Sequence, residues 1–138
     1  MLQFLILTTI AMYYYPGGVL HDRSTVGYNF FTNFFSDLGR TIALNRSPNT
    51  ISHNLFKIAL TSTGISMTIF FATLPFLFQQ RRAKILGVVA MLAAFVAGAC
   101  YIGIAFNPLN GHYWSHRFFV RTGFLACLLY TSPSPRDS

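Results

Sequence analysis

The residue types able to do chemistry in this chain are few and unevenly placed. All four histidines and two of the three acidic residues fall within residues 16–57 and 107–117. His21, Asp22, Asp37 and His53 lie in the first segment; His112 and His116 lie in the second. The last pair is spaced i, i+4, so on a helix both imidazoles share one face, a spacing that zinc sites use. Asp37, or Asp22, His21 or His53, could complete such a site with one position open to water. Zinc-bound water with a pKa of about 7 would make a lipid-directed membrane hydrolase. On that reading Asp37, His112 and His116 are the candidate catalytic and metal-ligating residues. The plainer reading needs no cofactor: histidine is amphipathic and suits a membrane interface.

The densest polar cluster is Asn33-Phe-Phe-Ser36-Asp37-Leu38-Gly39-Arg40-Thr41. Structurally, Asp37 could cap a helical turn, Gly39 could supply a bend and Arg40 could pair with Asp37. Functionally, Arg40 and Ser36 could bind an anionic headgroup with Asp37 orienting them. The chain has no Gly-rich phosphate loop, no serine-hydrolase elbow and no CxxC motif.

The elements that must position these residues are apolar. Of 138 residues, 53% are hydrophobic, 17% aromatic and only 9% charged. Soluble domains carry about 25% charged residues, so the composition points to a membrane protein. The formal charge of +7 comes from ten Lys/Arg against three Asp/Glu. Arg81, Arg82 and Lys84 lie between two apolar runs, and Arg117 and Arg121 lie near a third. Contact with anionic headgroups and orientation of spans explain that placement. A nucleic-acid partner is not expected, because there is no basic helix face and no RNA-binding signature.

Residues 58–78 and 85–106 carry no charge and predict two clear spans. Residues 1–15 end at Pro16-Gly17-Gly18, a breaker cluster; this first, partial span covers about 1–20 if it continues through Val19-Leu20. A signal peptide is the competing reading of that segment. A fourth, truncated span runs over 118–126. Ala94/Gly98 and Ala99/Gly103 are small-xxx-small pairs suited to close helix contact, and Pro75 predicts a kink. The fold class is therefore all-α, a multi-pass transmembrane helical bundle. Polar loops 21–57 and 107–117 fall on one side, with the basic turn 79–84 on the other. The density of Lys/Arg in that turn marks it as cytoplasmic. In 29–35, NFFTNFF, like residues repeat four apart. That predicts a short interfacial helix with phenylalanines in the acyl region and asparagines towards water, or else phenylalanines packed on the spans. Cys100 reads as a small packing residue.

The loop Asn33, Ser36, Asp37, Leu38, Gly39, followed by Asn45, Pro48, Asn54 and Leu55-Phe56 ahead of a glycine-containing span, resembles the bacterial and archaeal membrane family called domain of unknown function 998. More loosely, it is similar to the Frag–DRAM–Sfk membrane proteins. The resemblance implies a polytopic protein of the cytoplasmic membrane with about six spans, so further helix partners would lie beyond this sequence. It implies a loop formed by Asn33, Ser36, Asp37, Arg40 and Asn54, with His112 or His116 matching a later His-bearing loop. It implies no reaction. A small-solute transporter would instead call for ionisable groups inside the spans, and 58–78 and 85–106 contain none. The final CLLYTSPSPRD, residues 127–137, resembles translated sequencing adapter. On that reading 1–126 is the membrane domain and 127–138, with Cys127, Arg136 and Asp137, is a non-native tail.

Overall fold

The structure is a computed structural model that describes residues 2–131. It is all-helical: α1 spans Leu2–Tyr13, α2 Thr50–Leu77, α3 Arg81–Phe106 and α4 Tyr113–Thr131, with a 3-10 turn over Phe35–Gly39. Pairing of extended chain among the described residues is confined to two isolated bridges, Gly17 with Val26 and Ile42 with Pro48. Part of the adapter-like tail, residues 132–138, lies outside the described residues; α4 runs on through 127–131.

The helices extend beyond the apolar runs that predict them. α2 begins at Thr50, not 58, because the start is set by Pro48-Asn49 and not by where polarity ends; its first two turns carry Ser52, His53 and Lys57. α3 absorbs Arg81, Arg82 and Lys84, which shrinks the basic turn to its first residues. α4 starts at Tyr113, inside the segment expected to be loop. α1 goes the other way. It stops at Tyr13, short of Val19-Leu20. At about 1.5 Å per residue, its 12 residues cover only about 18 Å. Gly17 and Gly18 then take φ of +133° and +86°. There the chain crosses so close to the backbones of Thr25 and Asn45 that no side chain fits.

The helices pack in chain order, α1 on α2, α2 on α3 and α3 on α4. The result is a row of helices, all-α as the sequence predicts. The tightest crossing joins α2 to α3. A Cβ on Gly64 would lie 2.7 Å from the Gly98 carbonyl oxygen, and one on Gly98 would collide with Thr68 Oγ1. Further along, Gly87 accommodates Pro75, whose backbone a Cβ would approach to 3.2 Å. The two small-residue pairs behave differently. Ala94 and Gly98 are both buried, whereas Ala99 is exposed and Gly103 lies under the Phe119 ring of α4.

The buried core gathers at one end of the row. Leu38 from the 3-10 turn is fully enclosed with Ala11 and Tyr15, Ala43, Phe56 and Leu60 of α2, and Ala105 of α3. Burying a leucine contributes roughly 2 kcal/mol, so the loop is held to the helices as much by this plug as by its polar bonds.

Candidate functional site

Both polar segments meet at that end of the row. The Asn110 amide bridges to Thr41, donating to Oγ1 at 2.8 Å and accepting from the Thr41 N–H at 3.2 Å. The α3–α4 connection is thereby fastened to the loop between α1 and α2. The segments that hold the histidines and aspartates thus meet at one end of the helices, but these side chains are not brought together as a cluster.

Asp37 is the centre of the loop and is almost completely enclosed, at 1% exposure. The i→i+3 bonds of the 3-10 turn, Asp37 N–H to Phe34 O and Arg40 N–H to Asp37 O, aim its carboxylate back along the turn. Its Oδ2 accepts from the Phe34 N–H at 2.9 Å and from the Asn33 amide at 3.4 Å; Oδ1 accepts from Arg40 Nε at 2.9 Å. The carboxylate is thus charge-paired and hydrogen-bonded on both oxygens, the arrangement under which a buried ion is tolerated. Gly39 is needed for space: a Cβ there would lie 2.7 Å from the Phe56 ring. Its expected bend does not use positive φ, a conformation that falls instead to Gly17, Gly18, Gly27 and Arg46.

Asn33 ties this turn to the chain leaving α1, donating to Gly18 O at 2.8 Å and accepting from the Asn29 N–H at 2.9 Å. That geometry corrects the expected helix at 29–35. The segment makes one turn, with Asn33 inward and buried, while Phe30, Phe31 and Phe34 point outward. Only Phe35 turns in, with its ring 5.8 Å from Phe4 and 5.3 Å from Phe56. The i, i+4 repeat is real in sequence, but competing asparagine side-chain bonds to backbone end the helix after one turn.

Three further residues complete the cap; Asn49 and Ser52 are absent from the sequence-based candidates, and His53 is named there as a possible metal ligand. Asn49 donates to Leu38 O at 3.1 Å and to Arg40 O at 2.8 Å, and Ser52 donates to Leu38 O at 3.3 Å. His53 Nδ1 lies 2.7 Å from Gly39 O. All three sit in or just before the first turn of α2, and Pro48-Asn49-Thr50 is itself a helix-start signal. Asn54, the candidate expected beside the loop, is exposed and carries none of these bonds. Ser36 is half-buried.

The tyrosines inside the cap are neutral and shielded. Tyr15 OH accepts from the Leu44 N–H at 3.2 Å, and burial is the main reason its pKa lies above the ordinary 10.0. Tyr28, ring-to-ring with Tyr15 at 5.8 Å, is raised for the same reason. Asp22 behaves oppositely. It sits at an exposed hairpin tip, where bonds from Ser24 Oγ and N–H hold its pKa below 3.8.

His112 and His116 do stand one helical turn apart, joined by the His116 N–H to His112 O bond at 2.9 Å. They face different surroundings. His116 is buried with Nδ1 2.8 Å from Asn107 O, where it fixes the α3–α4 connection; His112 is exposed. Among the described residues, no three of His, Cys, Asp and Glu are grouped to hold a metal ion.

No protein-family model, curated protein or solved structure matches this chain.

The geometry suits mechanical closure. Every carbonyl from Leu38 to Arg40 is bound by a side chain of Asn49, Ser52 or His53.

Proposed function

We propose that this chain is an integral, multi-pass membrane protein whose Ser36-Asp37-Leu38-Gly39 loop is a structural cap on the helices, with no reaction carried out at the loop. The resemblance to the uncharacterised membrane family is part of the same proposal.

The observation that carries it is how little of the long helices is covered. α2 and α3 have 28 and 26 residues, yet only 22% and 33% of their most apolar stretches are buried. The core helix of a soluble protein would be mostly buried. Here Ile65, Ile69, Phe70, Leu86, Val89, Leu92 and Phe95 face outward. Water is a poor neighbour for so much apolar surface, at about 25 cal/mol per Å², and lipid is a good one. At about 1.5 Å per residue, both helices exceed the roughly 30 Å hydrocarbon thickness. The outward Phe30, Phe31 and Phe34 add an aromatic edge at the cap, suited to the headgroup boundary.

The cap reading rests on Asp37. A catalytic or metal-binding carboxylate must be open to its substrate or ion; Asp37 is 1% exposed, and both of its oxygens already accept bonds from protein donors.

Impermeant-maleimide labelling of intact cells tests embedding and orientation together. On a Cys100→Ala/Cys127→Ser background, Arg46→Cys in the cap is expected to label from outside and Gln80→Cys only after lysis. Extraction of the protein by alkaline carbonate would refute embedding, and the reverse labelling pattern would refute the orientation.

A further inference from the structure

We propose that Arg117 and Arg121 form a seat for the phosphate of an anionic phospholipid in the cap-side leaflet. The inference rests on the membrane reading above.

α4 lies at the edge of the row and packs chiefly on α3. Its inner face is His116, Phe119, Gly123 and Ala126; the opposite face carries Trp114, Phe118, Arg121, Leu125 and Leu128, all exposed. Arg117 borders that outer face one turn above Arg121. Two cations one turn apart on an otherwise apolar surface attract an anion, and the described residues offer no free one. Among the described residues the acids are Asp22 and Asp37. Asp37 is enclosed with Arg40, and Asp22 is held by Ser24 at the hairpin tip. A second copy of the described chain would bring the same two engaged carboxylates.

Depth and direction identify the anion. Gly103 of α3 lies against Phe119, and Cys100 lies 3.1 Å from the position of a Gly123 Cβ. Arg121 is therefore level with about Ile102, some four residues or roughly 6 Å below the end of α3 at Phe106. Side chains on a helix lean towards its N-terminus, and α4 begins at the cap. That lean would bring either guanidinium back to the headgroup level, within the reach of an arginine side chain. Arg117 is already oriented there, its Nη1 2.6 Å from Tyr113 OH and its guanidinium 5.2 Å from the Tyr113 ring. Guanidinium binds phosphate through paired N–H donors, and Trp114 on the same face offers an interface anchor.

The chain has one tryptophan, and it stands on this face. The test is Trp114 fluorescence of the full chain in phosphatidylcholine vesicles, with brominated acyl chains placed on either phosphatidylglycerol or phosphatidylcholine. Brominated phosphatidylglycerol at low mole fraction is expected to quench preferentially. Each arginine is expected to contribute roughly fivefold to the relative association constant, from about 1 kcal/mol per cation near the surface. Arg117→Gln/Arg121→Gln is expected to abolish the preference, whereas Arg23→Gln/Arg46→Gln, with the same charge change elsewhere on the cap, is expected to keep it. Added inorganic phosphate is expected not to relieve quenching. Equal quenching by the two lipids overturns the seat while leaving the membrane reading intact, and also favours a carboxylate-bearing helix as occupant. Persistence of the preference in the Arg117/Arg121 variant overturns it as well. Absence of quenching by either lipid overturns the membrane reading itself.

Discussion

The cap and the helix row are built on opposite terms. In the cap, polar groups bind one another: Asp37 with Phe34 N–H and Arg40, Asn49 with two carbonyls, Asn110 with Thr41. In the row, apolar faces remain turned outward and contact is concentrated where side chains are absent, at Gly64 and Gly98. The cap therefore carries its own specificity, since a buried polar group without its partner is costly. On the membrane reading proposed above, the row draws stability from the lipid around it. Substitution should separate the two, being severe and local in the cap but dependent on lipid or detergent in the row.

The largest effect is expected at Asp37. Asp37→Ala leaves the Phe34 N–H, the Asn33 amide and the Arg40 guanidinium facing a void, with Arg40 itself 19% exposed. Breaking a buried pair from one side costs about 3–5 kcal/mol. Thermal unfolding in detergent is expected to show that loss, with Asp37→Asn intermediate. A metal-site role makes a different forecast: wild type would carry stoichiometric zinc that His112→Ala/His116→Ala removes. A change in thermal stability with no change in metal content is the cap's signature.

Next in size is the row. Gly98→Leu forces α3 away from Thr68 and Gly64, an overpacking cost of about 1–3 kcal/mol. Because lipid can fill the gap that opens, the expected loss is smaller in bilayers than in detergent. An equal loss in both would show that the row, like the cap, is held from within.

Asn49 and Asn54 sharpen the contrast inside one helix start. Asn49→Ala strips Leu38 O and Arg40 O of a donor at 3.1 and 2.8 Å and is expected to cost about 1–2 kcal/mol. Asn54→Ala, at an exposed position, is expected to stay within about 0.5 kcal/mol. Chemical denaturation of both variants checks the ranking; a larger loss at Asn54 would restore it to the site.

That pair also shows how far the residues alone could be read. The two long helices were legible because uncharged apolar runs are hard to accommodate in any other way, and the shared polar end followed from their short connection. Helix starts were not: apolarity marks where a helix is covered by lipid or protein, whereas Asn49 and His112 mark where it begins. Asp37–Arg40 was legible because its partners are local. Asn49 to Leu38 and Asn110 to Thr41 were not, since nothing local in an asparagine announces a partner eleven or 69 positions away. The same limit explains the histidines. Spacing predicts one shared face for His112 and His116, but the Asn107 carbonyl, reached through a bend in the chain, engages His116 alone while His112 stays exposed.

A further effect, smaller than those at Asp37 and Gly98, lies where cap and row meet, at Tyr15. Its phenol and that of Tyr28 are held neutral by burial, with pKa values above 10.0 in the folded chain. Below pH 10 both states keep the proton and neither tyrosine makes stability pH-dependent. As pH rises past 10 the unfolded chain ionises first, so stability falls until the folded values are reached. Tyr15→Phe removes one of the two contributions and is expected to reduce the alkaline slope without abolishing it, while losing about 1 kcal/mol at neutral pH with the Leu44 bond. Tyrosine absorbance followed through alkaline unfolding checks this. An unchanged slope in Tyr15→Phe would mean that water reaches the phenol, and that the cap is less closed to solvent than the helices beneath it.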